Sequence, residues 1–424
     1  MATSLPFARQ PLLHKLLPTM LLIALSAFGT IGMAAEPAAM AKQIDAAMQA
    51  AGDYLVARQS ADGAWRSEVY PPFRDGDALT PLVLRSLLSI DPSAKLETAC
   101  QLGSKYLEAP VQPDGTIRPG PHGLNYPVYT AAGAVVVLSN PANADRRRAR
   151  DAWLRYLRER QLTEALGWQP ADTAYGGWGY SPDRPRKPQP GEPAAPLSDP
   201  NLSATVFALE ALRAAGAKAD DPAVRGGLAF VERCQNFSAN SQKEPGSPAT
   251  IARDSDFDDG GFFFMLDDAV RNKAGIAGHD WAARERYHSY GSTTADGLRA
   301  LLLCGMATDS PRLIAARHWL EGRFSPDTQP GDYAKDREHA RQSLYYYYAH
   351  SQALAWKALA LRDNTLRKSI APRAAALAGE LIKRQQADGS WRNSAVDVRE
   401  DDPLVATPLA LEALAACRGL VGEK

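Results

Sequence analysis

Apolar residues recur along the chain at helical spacing, in two kinds of segment that alternate. One kind carries charge along one side, as in Arg146, Arg147, Arg148 and Arg150, or Lys383 and Arg384. Such a helix faces water on that side. The other kind is apolar nearly all round, as in Ala134 to Leu138 and Leu301 to Leu303, and a helix of that pattern must be buried on every side. The apolar helices open on Thr80, Thr130, Thr205, Thr294 and Thr407, with Gln352 in the same place in a fifth segment, and continue with Leu and Ala at 3.6-residue spacing. Pairing each charged helix with the apolar one after it gives six units, at about 43–90, 95–140, 146–216, 221–306, 310–362 and 371–418.

A repeated phrase joins the two helices of a unit. Tyr54-Leu55 is followed by Gln59 and then Asp62-Gly63-Ala64-Trp65, and Glu380-Leu381 by Gln385 and Asp388-Gly389-Ser390-Trp391 at the same spacing. Tyr156-Leu157 with Gln161 and Phe230-Val231 with Gln235 keep the pair and the Gln. Tyr106-Leu107 and Trp319-Leu320 keep the pair alone. A glycine after a helix suits a left-handed residue. The Trp can then fold beneath the turn, while the Gln amide reaches the carbonyls left open at helix ends. Gln59, Trp65, Gln385 and Trp391 are therefore expected to staple the fold rather than to act chemically. Six buried and six half-buried helices predict an all-α domain over residues 36–424, an (α/α)6 toroid with an inner and an outer ring, because closure covers the ends that an open array must cap.

The phrase resembles the Gln-Trp motif of squalene-hopene cyclases. The chain from about 40 to 418 is similar to the short, single-toroid prenyltransferase and squalene-oxidase repeat proteins of exported bacterial sets, whose own signatures Tyr290-Gly291-Ser292-Thr293-Thr294 and Leu344-Tyr345-Tyr346-Tyr347-Tyr348 resemble. The resemblance implies a protein that binds or transforms an isoprenoid or another hydrophobic small molecule. The zinc-dependent protein prenyltransferases share the toroid, but Cys304 falls near the far end of its inner helix, away from His350 near the start of another, so no metal and no other cofactor is expected.

The ends and the composition change this picture little. Arg9 and Lys15 precede an apolar run from Leu16 to about Ala34 that closes on small residues, the pattern of a signal peptide over 1–35. The mature protein is then expected in the periplasm or secreted, with no stable membrane span. Forty-eight basic residues against 48 acidic ones leave no net charge to draw nucleic acid. Cys100, Cys234, Cys304 and Cys417 sit far apart inside helical patterns, without the close pairs of a zinc site. They read as small core residues.

All outer-to-inner connections fall on one face of the ring, which makes that mouth the place for a site. Two connections are long: one holds Tyr175-Gly176-Gly177-Trp178-Gly179-Tyr180 and then seven prolines from Pro182 to Pro200, and the other runs from about Asn236 to Tyr290. The expected pocket residues are Tyr129, Trp178, Tyr180, Tyr290, Tyr345 and Tyr347, aromatic walls that suit a polyprenyl chain or a sugar face. His350 is the candidate catalytic residue, being two positions before Gln352. Asp256-Phe257-Asp258-Asp259 matches the acid motif of alkene-protonating cyclases, yet lies 35 residues before Thr294 and in the slot of Asp-Gly-x-Trp. Asp256, Asp258 and Asp259 are candidates for an acid or cation site, or for turn carboxylates. A second expectation is an exported carbohydrate-active lyase or hydrolase, needing paired carboxylates such as Asp77 with Asp199, Asp401 or Asp402. A third is a binding toroid without catalysis.

Overall fold

The structure, a computed structural model, describes residues 29–237, 257–280 and 283–421. Residues 1–28 of the segment expected to be a signal peptide, and Asp256, lie outside the described residues. Thirteen α-helices follow in order: α1 Gly29–Val56, α2 Leu79–Leu87, α3 Ala94–Glu108, α4 Pro127–Leu138, α5 Arg147–Arg158, α6 Leu202–Ala214, α7 Pro222–Arg233, α8 Gly291–Leu303, α9 Pro311–Arg323, α10 His339–Ser343, α11 Tyr345–Arg362, α12 Arg367–Arg384 and α13 Pro403–Val421. Strands β1 Ile276–His279 and β2 Glu285–Tyr287 pair antiparallel in the long connection before α8.

Helices α2, α4, α6, α8, α11 and α13 pack each against the next, and α13 returns to α2, so the inner ring closes. Five outer helices rest on the ring one step behind, α3 on α2, α5 on α4, α7 on α6, α9 on α8 and α1 across the seam on α13, while α12 lies mainly on α13, the inner helix that follows it. Burial separates the rings as the apolar pattern requires. Inner α4 buries ten of its 12 residues, whereas outer α5 buries only Ala149, Ala152, Trp153 and Leu157. Helix α13 is long and apolar enough to cross a membrane by length and composition, but it carries Glu412 and packs within the ring.

The repeated phrase is the joint between units. Gln59 Nε2 donates to the Gly63 carbonyl at 2.9 Å, in its own turn, and to the Ala99 carbonyl at 2.8 Å, on the next outer helix. Gln161 does the same to Gly176 and Ala223, and Gln235 to Gly260 and Arg312. Gln385 donates to Gly389 and then, over the seam, to Ala47, both at 2.9 Å. Each amide thus spans two units. The Trp ring lies under the turn: Trp65 Nε1 donates to Leu55 O and Trp391 Nε1 to Leu381 O, each at 2.7 Å. Their backbone N–H groups donate to Thr80 and Thr407, which explains the Thr near the start of these inner helices.

Two readings of the sequence change here. Trp178, expected in the pocket, is fully buried in the third staple, with Nε1 on Leu157 O at 2.8 Å and its backbone N on Thr205. Gly176-Gly177-Trp178 is the third copy of the turn, delayed by residues that the regular spacing hides. The fifth inner helix begins at Tyr345, seven residues before Gln352. No local side chain caps it. Instead Glu400, from the connection before α13, accepts the N–H groups of Tyr346 at 3.0 Å and Tyr347 at 2.8 Å, which are among the four donors that a helix start leaves open.

Candidate functional site

The mouth of the ring leads into a cavity of about 370 Å³ walled by Tyr126, Tyr129, Tyr180, Phe264, Tyr290 and Tyr347, with Asp296 also on its wall. A second lobe of about 190 Å³ continues between α2, α4 and α13, sharing Tyr126, Tyr129 and Tyr347 and adding Phe73, Phe207 and Leu409. A concave, mostly aromatic space with a few convergent polar groups is the usual form of a small-molecule site.

Four of the six expected pocket residues, Tyr129, Tyr180, Tyr290 and Tyr347, line the larger lobe. Trp178 does not, for the reason above. Nor does Tyr345, whose hydroxyl donates to Pro326 O at 2.7 Å toward the outer ring, while Arg384 stacks on its ring. Within the Tyr345–Tyr348 run, helical rotation sends only Tyr347 to the cavity: Tyr346 donates to Arg392 O and Tyr348 to Ser325 O.

The hydroxyls in the cavity form a chain. Tyr180 and Tyr129 share a hydrogen bond of 2.9 Å, Tyr129 donates to Ser203 at 2.8 Å, Ser203 bonds Tyr347, and Tyr347 donates to Asp296 Oδ2 at 2.6 Å. Burial holds all three phenols protonated, pushing Tyr129 up to about 12 and Tyr180 and Tyr347 well above their ordinary value.

Asp296 ends this chain. It stands on the second turn of α8 and is 1% exposed. Oδ1 is buried without a hydrogen-bond partner, and Arg299 Nη2 lies 3.8 Å from it. Burial raises the pKa of Asp296 above the ordinary carboxylate value, while Arg299, Tyr347 and Ser351 pull the other way by favouring the charged form. The outcome is a carboxylic acid that keeps its proton longer than usual, beside groups ready to stabilise its anion. Sequence reading missed it by looking only at positions before each Thr, whereas Asp296 comes two residues after Thr294. The only acid of its inner helix, three residues before the buried Arg299, was the available signal.

Below Asp296 the ring is charged as well as apolar. Arg85 Nη2 bridges Glu210 at 3.1 Å and Glu412 at 3.2 Å, and His350 Nε2 is 2.8 Å from Glu412. Although burial disfavours its charge, Glu412 is held down at about 2 by Arg85 and His350. The arginines Arg85 and Arg299 approach the Phe207 ring, and His350 stacks on it. His350 is fully buried and lines neither lobe, so it lies one layer beneath the cavity wall. Its register was displaced when α11 began at Tyr345.

The described acidic pair of the Asp-x-Asp-Asp sequence belongs to the fourth turn. Asp259 accepts Gly261 N at 3.0 Å, Ser289 Oγ at 2.7 Å and Trp319 Nε1 at 2.7 Å, and Asp258 pairs with Arg286 at 3.2 Å. The next residues, Gly260-Gly261-Phe262, repeat the staple, with Phe262 N donating to Thr294. Asp259 and Asp258 are turn carboxylates. The carboxylates considered for a glycosidase are spread out too. Asp77 accepts from Tyr106, Asp199 pairs with Arg271, Asp401 accepts from Tyr70 and Asp402 caps α13 through Leu404 N. None lines either lobe. Among the described residues no group of three or more His, Cys, Asp and Glu is arranged to hold a metal, and the four cysteines are free thiols.

No family model and no curated protein matches the chain. Among solved structures it is similar to the type II terpene cyclase MstE of Scytonema in complex with merosterolic acid A, at 14% identity over 90% of this chain and 99% of that one, with a TM-score of 0.51. It is similar to the GH76A α-1,6-mannanase of a Salegentibacter species, at 10% identity over 89% and 100%, with a TM-score of 0.53. A protein from Actinoplanes matches at 16% identity over 89% and 100%, with a TM-score of 0.52. At these identities the likeness shows the fold alone, the α/α toroid that the repeats predict.

Proposed function

We propose that the chain binds a hydrophobic, isoprenoid-like molecule in the ring cavity and that Asp296 protonates it to begin a cyclisation or isomerisation. The observation that carries this reading is the fully buried Asp296 on an aromatic-walled cavity, with one oxygen held by Tyr347 and the other unpartnered, its pKa raised by burial. An alkene is a very weak base. Its protonation needs an acid whose anion is stabilised where it forms, in a site free of competing water. Arg299 and the Tyr347 and Ser351 hydroxyls are the stabilising groups here.

In this step the Asp296 O–H bond breaks and the alkene π pair takes the proton as a C–H bond. Neighbouring double bonds trap the cation, and loss of a proton to solvent outside the cavity, from which the Asp296 carboxylate is reprotonated, ends the sequence, so the product is an isomer of the substrate unless water itself is captured. The electron-rich faces of Tyr129, Tyr180, Tyr290 and Tyr347 suit the cationic intermediate. Structures of the same fold class include terpene cyclases solved with a geranylgeranyl dihydroxybenzoate substrate and a merosterolic acid product, consistent with this choice, and an α-1,6-mannanase solved with mannotriose. The scattered, already engaged carboxylates support this choice over the sugar reading.

The test is incubation with polyprenyl substrates followed by chromatography and mass spectrometry, for the wild type and Asp296→Asn. Isomerised product is expected from the wild type alone, with bound, unreacted ligand retained by the variant. An Asp296→Asn protein that still turns over would sink the assignment.

A further inference from the structure

The lip of the cavity carries charge that nothing on the chain fully uses. Lys273 stands on the wall, half-buried, and burial pulls its pKa down. Among the described residues no carboxylate comes within ion-pair distance of it, and the exposed Asp397 is its nearest favourable charge. Arg399 has no carboxylate either. Its guanidinium sits among the rings of Tyr126 at 5.3 Å, Tyr70 at 5.5 Å and Phe73 at 5.6 Å, which fix its position without consuming its N–H donors. Arg271 pairs with Asp199 and Asp268 through Nη2 and Nε, leaving Nη1 buried and unpartnered.

The backbone beneath this lip is strained as well. Arg399 and Tyr126 hold φ of +67° and +48°, a left-handed conformation that side chains other than Gly rarely adopt, and they touch one another. Strain of this sort persists where the surroundings over-determine it, and functional sites are where it gathers. Two pre-positioned cations with free donors, against one exposed carboxylate, form a receptor for an oxyanion at the entrance of an apolar cavity.

We infer that the ligand is amphipathic, an apolar tail in the two lobes and an anionic head, carboxylate or phosphate, held by Lys273 and Arg399 at the lip. The inference rests on the cavity being a ligand site, as proposed above. It adds that the head selects the ligand and fixes which end of the tail reaches Asp296.

Three ligands with one tail separate the alternatives: geranylgeraniol, geranylgeranic acid and geranylgeranyl monophosphate, titrated calorimetrically into the full chain at low and high salt. The wild type is expected to favour at least one anion over the alcohol by about tenfold or more at low salt, and the preferred anion names the head. The preference should shrink with salt and fall to within about threefold in Lys273→Gln/Arg399→Gln, with circular dichroism and thermal unfolding confirming that the double variant keeps the wild-type fold. Equal binding of all three by the wild type, or an undiminished preference in the double variant, overturns the anionic head while leaving the cavity reading intact. Failure of all three to bind overturns the cavity reading and this one with it.

Discussion

Glu400 offers a quantitative test of the ring's internal electrostatics. Its carboxylate is 1% exposed and bridges two parts of the mouth, accepting Tyr346 N, Tyr347 N and Asn393 Nδ2 at 2.8 to 3.1 Å. These donors favour the anion. Burial opposes them and prevails, pushing the pKa from an ordinary 4.5 to about 7. In the unfolded chain Glu400 releases its proton near its ordinary value, so between the two values the folded state binds more protons. Its stabilising contribution is complete below the unfolded value and is lost as pH rises through about 7. At about 1.4 kcal/mol per pH unit, the full loss is about 3 kcal/mol. With an unfolding entropy of about 2 cal/mol/K per residue, a chain of this length loses about 4 °C of Tm. Glu400→Gln removes the titration. Its Tm relative to wild type should therefore rise by about 3 °C between pH 5 and pH 8.5, the part of the loss that lies above pH 5, in thermal scans followed by circular dichroism. A difference constant across that range would refute the reasoning. A difference moving the opposite way would show that the three donors, not burial, set the charge of Glu400.

Two further outcomes follow from the same geometry. A Cβ at Gly176, whose φ is +88°, would meet the Gly226 carbonyl oxygen at 1.9 Å, whereas one at Gly123, with φ +82°, has nothing within 4 Å. Gly123→Ala should thus cost only about 1 kcal/mol of left-handed strain, and Gly176→Ala upwards of about 4 kcal/mol by forcing apart the third and fourth units, as thermal or urea unfolding will read. Tyr347→Phe removes the hydroxyl that donates to Asp296 and so favours its anion. The pKa of Asp296 should rise further, moving the pH limb of turnover upward by up to about one unit while the rate falls about tenfold or more. An unmoved limb would mean that Asp296 is not the acid.

The fold was legible because its rules repeat. The Gln-to-carbonyl bridge recurs in four units and the Thr near the inner-helix start in five, so any one copy teaches the next. The readings that changed lie where a unit departs from the rule. Trp178 reaches its place after a longer detour, and α11 starts on a cap supplied by Glu400, 54 residues from Tyr346. A non-local cap leaves no mark in the local pattern. The pocket was half legible for a related reason. Aromatic content located the mouth, but which tyrosine of Tyr345–Tyr348 faces the cavity depends on the helix phase, and an error in the start of α11 shifts that phase. Asp296 escaped notice because a search keyed to the resemblance looked in the wrong register, one turn too early.

The charged layer beneath the cavity bears on why Asp296 holds its proton. Arg85 with Glu210 and Glu412, supplied by α2, α6 and α13, already form a paired set, and Arg299 from α8 lies 3.9 Å from Glu210. Two arginines thus face two glutamates, and a third anion would have no cation of its own. An ionised Asp296 would have to share Arg299 with Glu210. Burial of an unpaired charge is the costliest state available there. Burial therefore raises the pKa of Asp296 where the charges around it already balance, and Arg299, 3.8 Å away, is placed to favour the anion once the proton has gone to a ligand. The same layer joins four of the six inner helices, so the acid's proton affinity depends on the ring being closed.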